Sequence, residues 1–240
     1  MSNTTLFPSS FSVKYRVRVS DISHAVYCFK QVKIRQQNRE KLDKRKKNKY
    51  MKKGIEMHEA YSAWYKSFDR RLLLYKIKEK YGNVLKRRIE DIEVRGKFDD
   101  LRILLVYKKG RLKEKVVSVV EVKTTHKKFL YWHEREAAKF QLQIYLWLLE
   151  PILEELGYRL HTRHYVEIYS QKDGRLMKRI PVKEDKFIED RITDIVLSWE
   201  GLYPMKYPEL RTCKHCPKGI REQCDRWRYY FGDKKKKKYN

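Results

Sequence analysis

The residues with the clearest capacity for chemistry lie in the segment Val116-Val117-Ser118-Val119-Val120-Glu121-Val122-Lys123. Its β-branched run reads as a strand, and strand alternation sends Glu121 and Lys123 to one side, away from Val120 and Val122. An upstream strand-like run, Glu93 to Tyr107, connects to this one (Lys115 to Thr125) through the polar turn Lys108-Lys109-Gly110-Arg111, which predicts a β-hairpin. Counting back from Gly110 places Asp99 across from residues 121 to 123, and directly opposed residues share a face. Two carboxylates and an ammonium then converge. Hard oxygen ligands at that separation suit Mg2+ or Mn2+, which keeps waters for a substrate phosphate and an attacking hydroxide. Lys123 would orient that water or stabilise phosphorane charge. The plainer alternative is a cross-strand salt bridge.

Four cysteines form the second candidate site. Cys213 and Cys216 make a CxxC pair followed by Cys224, so that a turn lets two or three thiolates face one centre, and Cys28 would have to be the fourth ligand. A metal there would tie the two ends of the chain together. Spacing allows zinc, with His215 or His24 as substitute ligands, as well as an iron-sulfur cluster. Cys28 falls on a predicted helix and could instead simply be buried.

Composition frames both sites. With 58 Lys and Arg against 31 Asp and Glu, the 240-residue chain carries a net charge of +27, which self-repels unless a polyanion sits against it. Nucleic acid is the expected partner; a solvated basic surface, a thermophile's lysine excess or anionic lipid would also account for charge alone. The amino terminus has no basic n-region or apolar h-region, and no stretch approaches the roughly 18 apolar residues of a membrane span. A soluble, cytoplasmic protein is expected, where cysteines favour metal or redox cofactors over disulfides.

The elements that would position these groups follow from periodicity. Met57, Ala60, Tyr61, Trp64 and Phe68 recur at helical spacing, predicting one amphipathic helix over Ile55 to Phe68 with His58 at its flank. A dense basic run, Arg39 to Lys53, leads into it and would either track a phosphate backbone or form a solvated face. A long helix is predicted from about His133 to Glu150, with Pro151 kinking it or opening a second helix. A second hairpin, Arg163 to Ser170 with Leu176 to Val182, turns at Lys172-Asp173-Gly174-Arg175, and a last helix covers Glu184 to Glu200. This order predicts an α/β domain, a mixed central sheet flanked by helices, over 1–233, followed by a disordered basic tail at 234–240.

The motifs together resemble the PD-(D/E)XK nuclease superfamily, specifically its RecB-type branch that includes the CRISPR-associated Cas-four nucleases. Gly54-Ile55-Glu56-Met57-His58-Glu59 is similar to that family's GxxxHE, Gly96-Lys97-Phe98-Asp99 to GxxD, Glu121-Val122-Lys123 to ExK and Gln141 to Tyr145 to QxxxY, in the family's order. The resemblance implies that His58, Asp99, Glu121 and the backbone carbonyl of Val122 bind the metal ion. Lys123 would be catalytic, and Gln141 and Tyr145 would contact substrate or orient the site. Read without the resemblance, His58 is a packed helix-flank histidine, Tyr145 a core aromatic and Gln141 a surface amide. Asp100 follows Asp99, so the ligand depends on hairpin register; the GxxD spacing selects Asp99. The resemblance also implies a four-iron four-sulfur cluster on Cys28, Cys213, Cys216 and Cys224. It further implies exonuclease action on single-stranded DNA ends, in CRISPR spacer acquisition beside integration proteins or in repair. A zinc-containing protein that binds nucleic acid without cleaving it is the alternative.

Overall fold

The computed structural model describes residues 12–38, 52–57, 68–108, 111–208, 213–214, 216 and 218–232. His58, His215, the basic tail, and most of the basic run and of the helix expected to end at Phe68 lie outside the described residues. The described residues 52–57 are helical, and a helix described over Phe68–Tyr81 (α2) runs well past the expected end at Phe68, which the sequence reading did not anticipate.

A mixed sheet forms the centre. Its order is β4 (Asp100–Lys108), β5 (Arg111–Thr125), β7 (His164–Ser170) and β8 (Leu176–Val182), with the short β6 (Arg159–Leu160) beside β5. β4 and β8 run antiparallel to their neighbours, and β5 and β7 run parallel. The parallel pair needs a crossover, and α3 (Trp132–Glu155) supplies it. α3 passes Pro151 without ending, because Leu146, Leu148, Leu149, Ile152 and Leu153 are buried on both sides of it and outweigh one lost backbone hydrogen bond. α4 (Ile188–Glu200) turns Ile188, Ile192, Ile195, Val196 and Trp199 inward, and stops at Gly201 with φ 84°.

The expected strand from Glu93 to Tyr107 is in fact two. β3 (Ile92–Gly96) belongs to a smaller sheet, between β1 (Tyr15–Arg18) and β2 (Leu85–Ile89), and β4 begins at Asp100 in the main sheet. The chain changes sheets at Lys97-Phe98-Asp99, and Gly96 makes this possible. A Cβ at Gly96 would lie 2.5 Å from Val19 Cγ2 and 2.6 Å from Tyr145 Cε1. Gly96→Ala is therefore expected to destabilise the fold by about 1–3 kcal/mol, the usual range for overpacking. Urea unfolding measures it, and an unchanged midpoint would show that Val19 and the Tyr145 ring yield freely.

Directly paired residues sort the two faces of the main sheet. Val117, Val119, Leu101, Ile103, Val166 and Ile168 share a face and pack into the core with α3. Glu121 and Lys123 continue that same face. The opposite face carries Asp100, in a buried ion pair with Arg70, and the buried Glu167, which pairs with Arg102 and with the more exposed Arg179. No helix among the described residues is long and apolar enough to cross a membrane.

Candidate active site

Glu121 lies near the end of the buried stretch of β5 and is 1 % exposed. Lys123, two residues on, forms a salt bridge with Glu121 Oε1 and donates to Gln141 Oε1 on α3 at 3.1 Å. The strand pair Asp100 to Val120, carried one residue further, brings Asp99 to Glu121. Asp99 Oδ2 accepts from the Val122 backbone N–H at 2.9 Å. Asp100 points to the other face, where the Arg70 guanidinium holds its Oδ1 and the backbone N–H of Leu101 donates to it at 2.8 Å. Parity thus separates the two aspartates: Asp99 joins Glu121 and Lys123, and Asp100 joins Arg70.

The electrostatics of the group follow from burial. Removal from water, then the neighbouring Asp99, pushes the Glu121 carboxyl up to about 8, although Lys123 acts against this. Burial works to lower the Lys123 ammonium, but Glu121 and Asp99 outweigh it and hold Lys123 above its ordinary value. Lys123 is therefore a cation at neutral pH, suited to stabilising charge and not to accepting a proton. Glu121 Oε2 is buried and, among the described residues, has no hydrogen-bond partner. An orphaned carboxylate oxygen beside a second carboxylate fits a hard divalent cation, which would displace the proton that Glu121 otherwise retains.

The sign of this shift gives a test. Glu121 titrates near 8 when folded and near its ordinary 4.5 when unfolded, so its contribution to stability is full below pH 4.5 and is lost as pH rises through 8. Glu121→Gln, melted in EDTA, is expected to match wild type near pH 4.5 and to become increasingly more stable than it as pH rises toward 8. A constant difference across that range would place Glu121 in contact with water.

Gln141 and Tyr145 share one face of α3, four residues apart, and act on the site from behind. Gln141 Nε2 donates to the Tyr145 hydroxyl at 3.5 Å. That hydroxyl also hydrogen-bonds the backbone of Lys97, and burial raises its pKa. Lys123, Gln141, Tyr145 and the Gly96-to-Asp99 segment are thus linked by hydrogen bonds. In this arrangement Gln141 and Tyr145 position residues of the site, and Tyr145 is also a core residue at 4 % exposure. On the other flank, a Cβ at Gly54 in the 52–57 helix would lie 3.0 Å from Thr124 Oγ1, so that helix packs directly beyond Lys123.

Lys123 and Gln141 open onto a cleft of about 1,010 Å³. Arg35, Lys127, His24 and His133 contribute basic or imidazole groups to it, and Tyr27 and Tyr131 contribute rings. The sequence reading missed this lining except for His24, which it offered as a cysteine-site ligand. His24 lines the cleft instead and does not line the cysteine cavity. Burial and the nearby Arg35 and Lys123 lower its pKa to about 3, so it is neutral. The one visible signal was the aromatic run Phe129 to His133, which no spacing rule distinguishes from core.

The cysteines from the two ends of the chain meet. Cys28 caps α1 (Phe29–Gln37), and it lines with Cys213, Cys216 and Cys224 one cavity of about 20 Å³, closed by Tyr207, Ile220 and Trp227. All four thiols are free. Burial, with the other thiols adding to it, raises Cys216 to about 12; burial raises Cys28 to about 11 and also raises Cys213. Such thiols remain protonated unless a cation stabilises the thiolates, so the donor set suits a soft metal centre. Among the described residues, however, no three or more His, Cys, Asp or Glu side chains are arranged so that they could hold a metal ion as they stand. Gln31 Nε2 approaches Cys216 Sγ at 3.7 Å, and both Gln31 and Tyr27 line the cleft at Lys123 as well as the cysteine cavity.

No family model and no curated protein matches the chain. Two solved structures are among those similar to it. SSO0001 is 16% identical, with a TM-score of 0.48 over 90% of this chain and 89% of that one. A candidate exonuclease from Eubacterium rectale is 11% identical, with a TM-score of 0.39 over 96% of this chain and 94% of that one. Both scores fall below 0.5, too low for either likeness to assign a family or an activity.

Proposed function

We propose that the protein is a divalent-metal-dependent nuclease of the PD-(D/E)XK type that hydrolyses DNA phosphodiesters, acting as an exonuclease on single-stranded ends. One observation carries this reading. The buried Glu121 carboxyl lies between Asp99 and the Lys123 cation, and Lys123 opens onto a basic cleft. A structural salt bridge would need neither a second carboxylate beside the first nor a cleft at its lysine: Asp100, whose Oδ2 is, like Glu121 Oε2, unpartnered among the described residues, is held by Arg70 on the other face and does not line this cleft.

Asp99, Glu121 and the Val122 carbonyl would hold Mg2+ or Mn2+, with His58 as a further ligand on the strength of the motif resemblance. When bound, the ion supplies a Lewis acid for the phosphate and a water of lowered pKa. Lys123 donates hydrogen bonds to the charge that develops on the phosphoryl oxygens, and Gln141 holds the Lys123 ammonium in place by accepting from it. The four cysteines would carry a four-iron four-sulfur cluster, with zinc as the other soft centre the donors accept. Motif resemblance supports a role in trimming DNA for CRISPR spacer acquisition, alongside integration proteins, or in related repair.

The test is cleavage of labelled single-stranded DNA by anaerobically purified protein. Activity is expected with Mn2+ or Mg2+ and none in EDTA, while DNA binding persists in both. Binding with no cleavage under any divalent ion would favour a zinc protein that only binds nucleic acid. The visible spectrum of the same preparation separates iron-sulfur, which absorbs broadly in brown, from zinc, which does not.

A further inference from the structure

The loop between β5 and α3, together with the first residue of α3, presents large aromatic side chains to solvent. Phe129 is 62 % exposed, Tyr131 49 % and Trp132 61 %. Each such ring would bury some 150–250 Å² if packed, so three exposed within four residues mark a contact surface more than a failure of the core. The rings are also ordered among themselves. Phe129 meets Tyr131 edge-on at 5.6 Å between centroids, Tyr131 lies within 10° of parallel to His133 at 5.8 Å, and His133 meets Tyr27 at 4.9 Å. This ladder leads from solvent along the wall of the cleft that contains Lys123 and Gln141.

We propose that Tyr131 and Trp132 form a stacking shelf for the unpaired bases of a nucleic-acid strand whose phosphate enters the cleft at Lys123. The proposal rests on the nuclease reading for its direction of approach, and on the ladder for the contact itself. Charge complementarity selects the occupant. Lys127 Nζ lies 4.4 Å from the Tyr131 ring centroid and pairs with Glu134 at 3.1 Å, and Arg35, Lys123 and Lys127 outnumber that one carboxylate in the lining of the cleft, on a chain of net charge +27. Rings interleaved with cations are what single strands require, since every base offers a π-face and every linkage a negative charge. A base pair inside a duplex has its faces already stacked and gains nothing from the shelf. Trp132 faces a second cavity of about 650 Å³, which Phe29, Phe140 and Tyr207 also line, so the loop is a ridge with an aromatic hollow behind it. The shelf thereby confers a preference for single strands without reading base identity.

The shelf can be removed without disturbing the helix behind it. The bond that fixes the start of α3 runs from the Tyr131 backbone N–H to Glu134 Oε2, 2.8 Å, and alanine retains it. The experiment uses the full chain in EDTA, with an oligothymidylate carrying one 2-aminopurine near its end, and a blunt duplex as control. Wild type is expected to quench the 2-aminopurine on binding. Tyr131→Ala with Trp132→Ala should lose the quench and bind the single strand at least ~10-fold more weakly, as expected for losing one or two stacked bases. Duplex affinity should change less than twofold. Tyr131→Phe with Trp132→Phe should restore both. Tyr131→Ala alone, melting with wild-type cooperativity, serves if the double variant does not fold. An alanine variant that quenches and binds as wild type does would overturn the shelf and leave the loop to a protein partner. A wild-type protein that binds and quenches but never cleaves keeps the shelf and removes the nuclease reading. Cleavage by wild type, with unchanged binding by the alanine variant, does the reverse.

Discussion

Replacing Lys123 by alanine is expected to slow cleavage of single-stranded DNA by at least ~100-fold at saturating Mn2+, with the fold intact. The side chain is 31 % exposed and lies at the end of the buried stretch of β5, so truncation removes little packing. Its loss acts twice on the chemistry. The ammonium that would face the developing negative charge is gone, and Glu121 loses a neighbour that draws its raised carboxyl downward, so the proposed metal ion would have to displace a more tightly held proton. The first effect persists at any metal concentration; the second is overcome by more Mn2+ or by higher pH. Single-turnover rates at several pH values therefore separate them. Affinity for DNA should fall little, since one positive charge is removed from a net charge of +27. Equal rates for mutant and wild type at saturating Mn2+ would reduce Lys123 to a salt-bridge partner of Glu121.

Replacing Cys28 by serine is expected to act on stability and leave the chemical step alone. Cys28 occupies the N-cap of α1 with extended φ −169° and ψ 121°, a position where serine is among the preferred residues. The substitution is therefore neutral or favourable for the helix, and any loss must come from the cysteine cavity. The proposed centre shared with Cys213, Cys216 and Cys224 would close most of the chain into a loop, worth roughly 5 kcal/mol of restricted unfolded-chain entropy by analogy with a disulfide. The metal content should fall, the melting temperature should drop by many degrees, and cleavage per active site should equal that of wild type in the fraction that remains folded. Active-site titration with calorimetry checks this. Full metal content and an unchanged melt would remove Cys28 from the ligands and leave the ends of the chain unpinned.

Local pattern alone was enough for several elements. The turn chemistry at Gly174 and the alternation on either side of it placed the β7–β8 hairpin within a residue of its observed ends. The apolar run of α3 and the helical spacing of α4 were legible because both bury one face against the sheet, and a buried face writes its period into the sequence. Elements whose buried face is narrow or mixed were missed. α2 buries Leu73 and Ile77 among many charged residues, and beside them it turns inward a charged residue, Arg70, whose partner Asp100 lies in another element. The β1–β3–β2 sheet was hidden because its short strands mix charged and apolar residues, and because Gly96 reads as strand interior until Tyr145 and Val19 are found against it.

The sequence by itself determined which residue types were available to the site: two adjacent aspartates, a glutamate, a lysine and a Gln–Tyr pair one helical turn apart. It did not determine which aspartate would serve. Next to the turn the hairpin pairs Lys108 with Arg111 and Tyr107 with Leu112, an odd register that would carry Asp100 and Arg102 to the α3 face. A bulge between Val106 and Tyr107 shifts the pairing by one, to an even sum, and with it Leu101 and Ile103 enter the core opposite Val119 and Val117. Burying two charged side chains under α3 without partners costs far more than one unpaired bulge residue, so the core fixes the parity and Asp99 follows. That balance belongs to α3, Arg70 and the whole sheet together, and no residue within the hairpin records it.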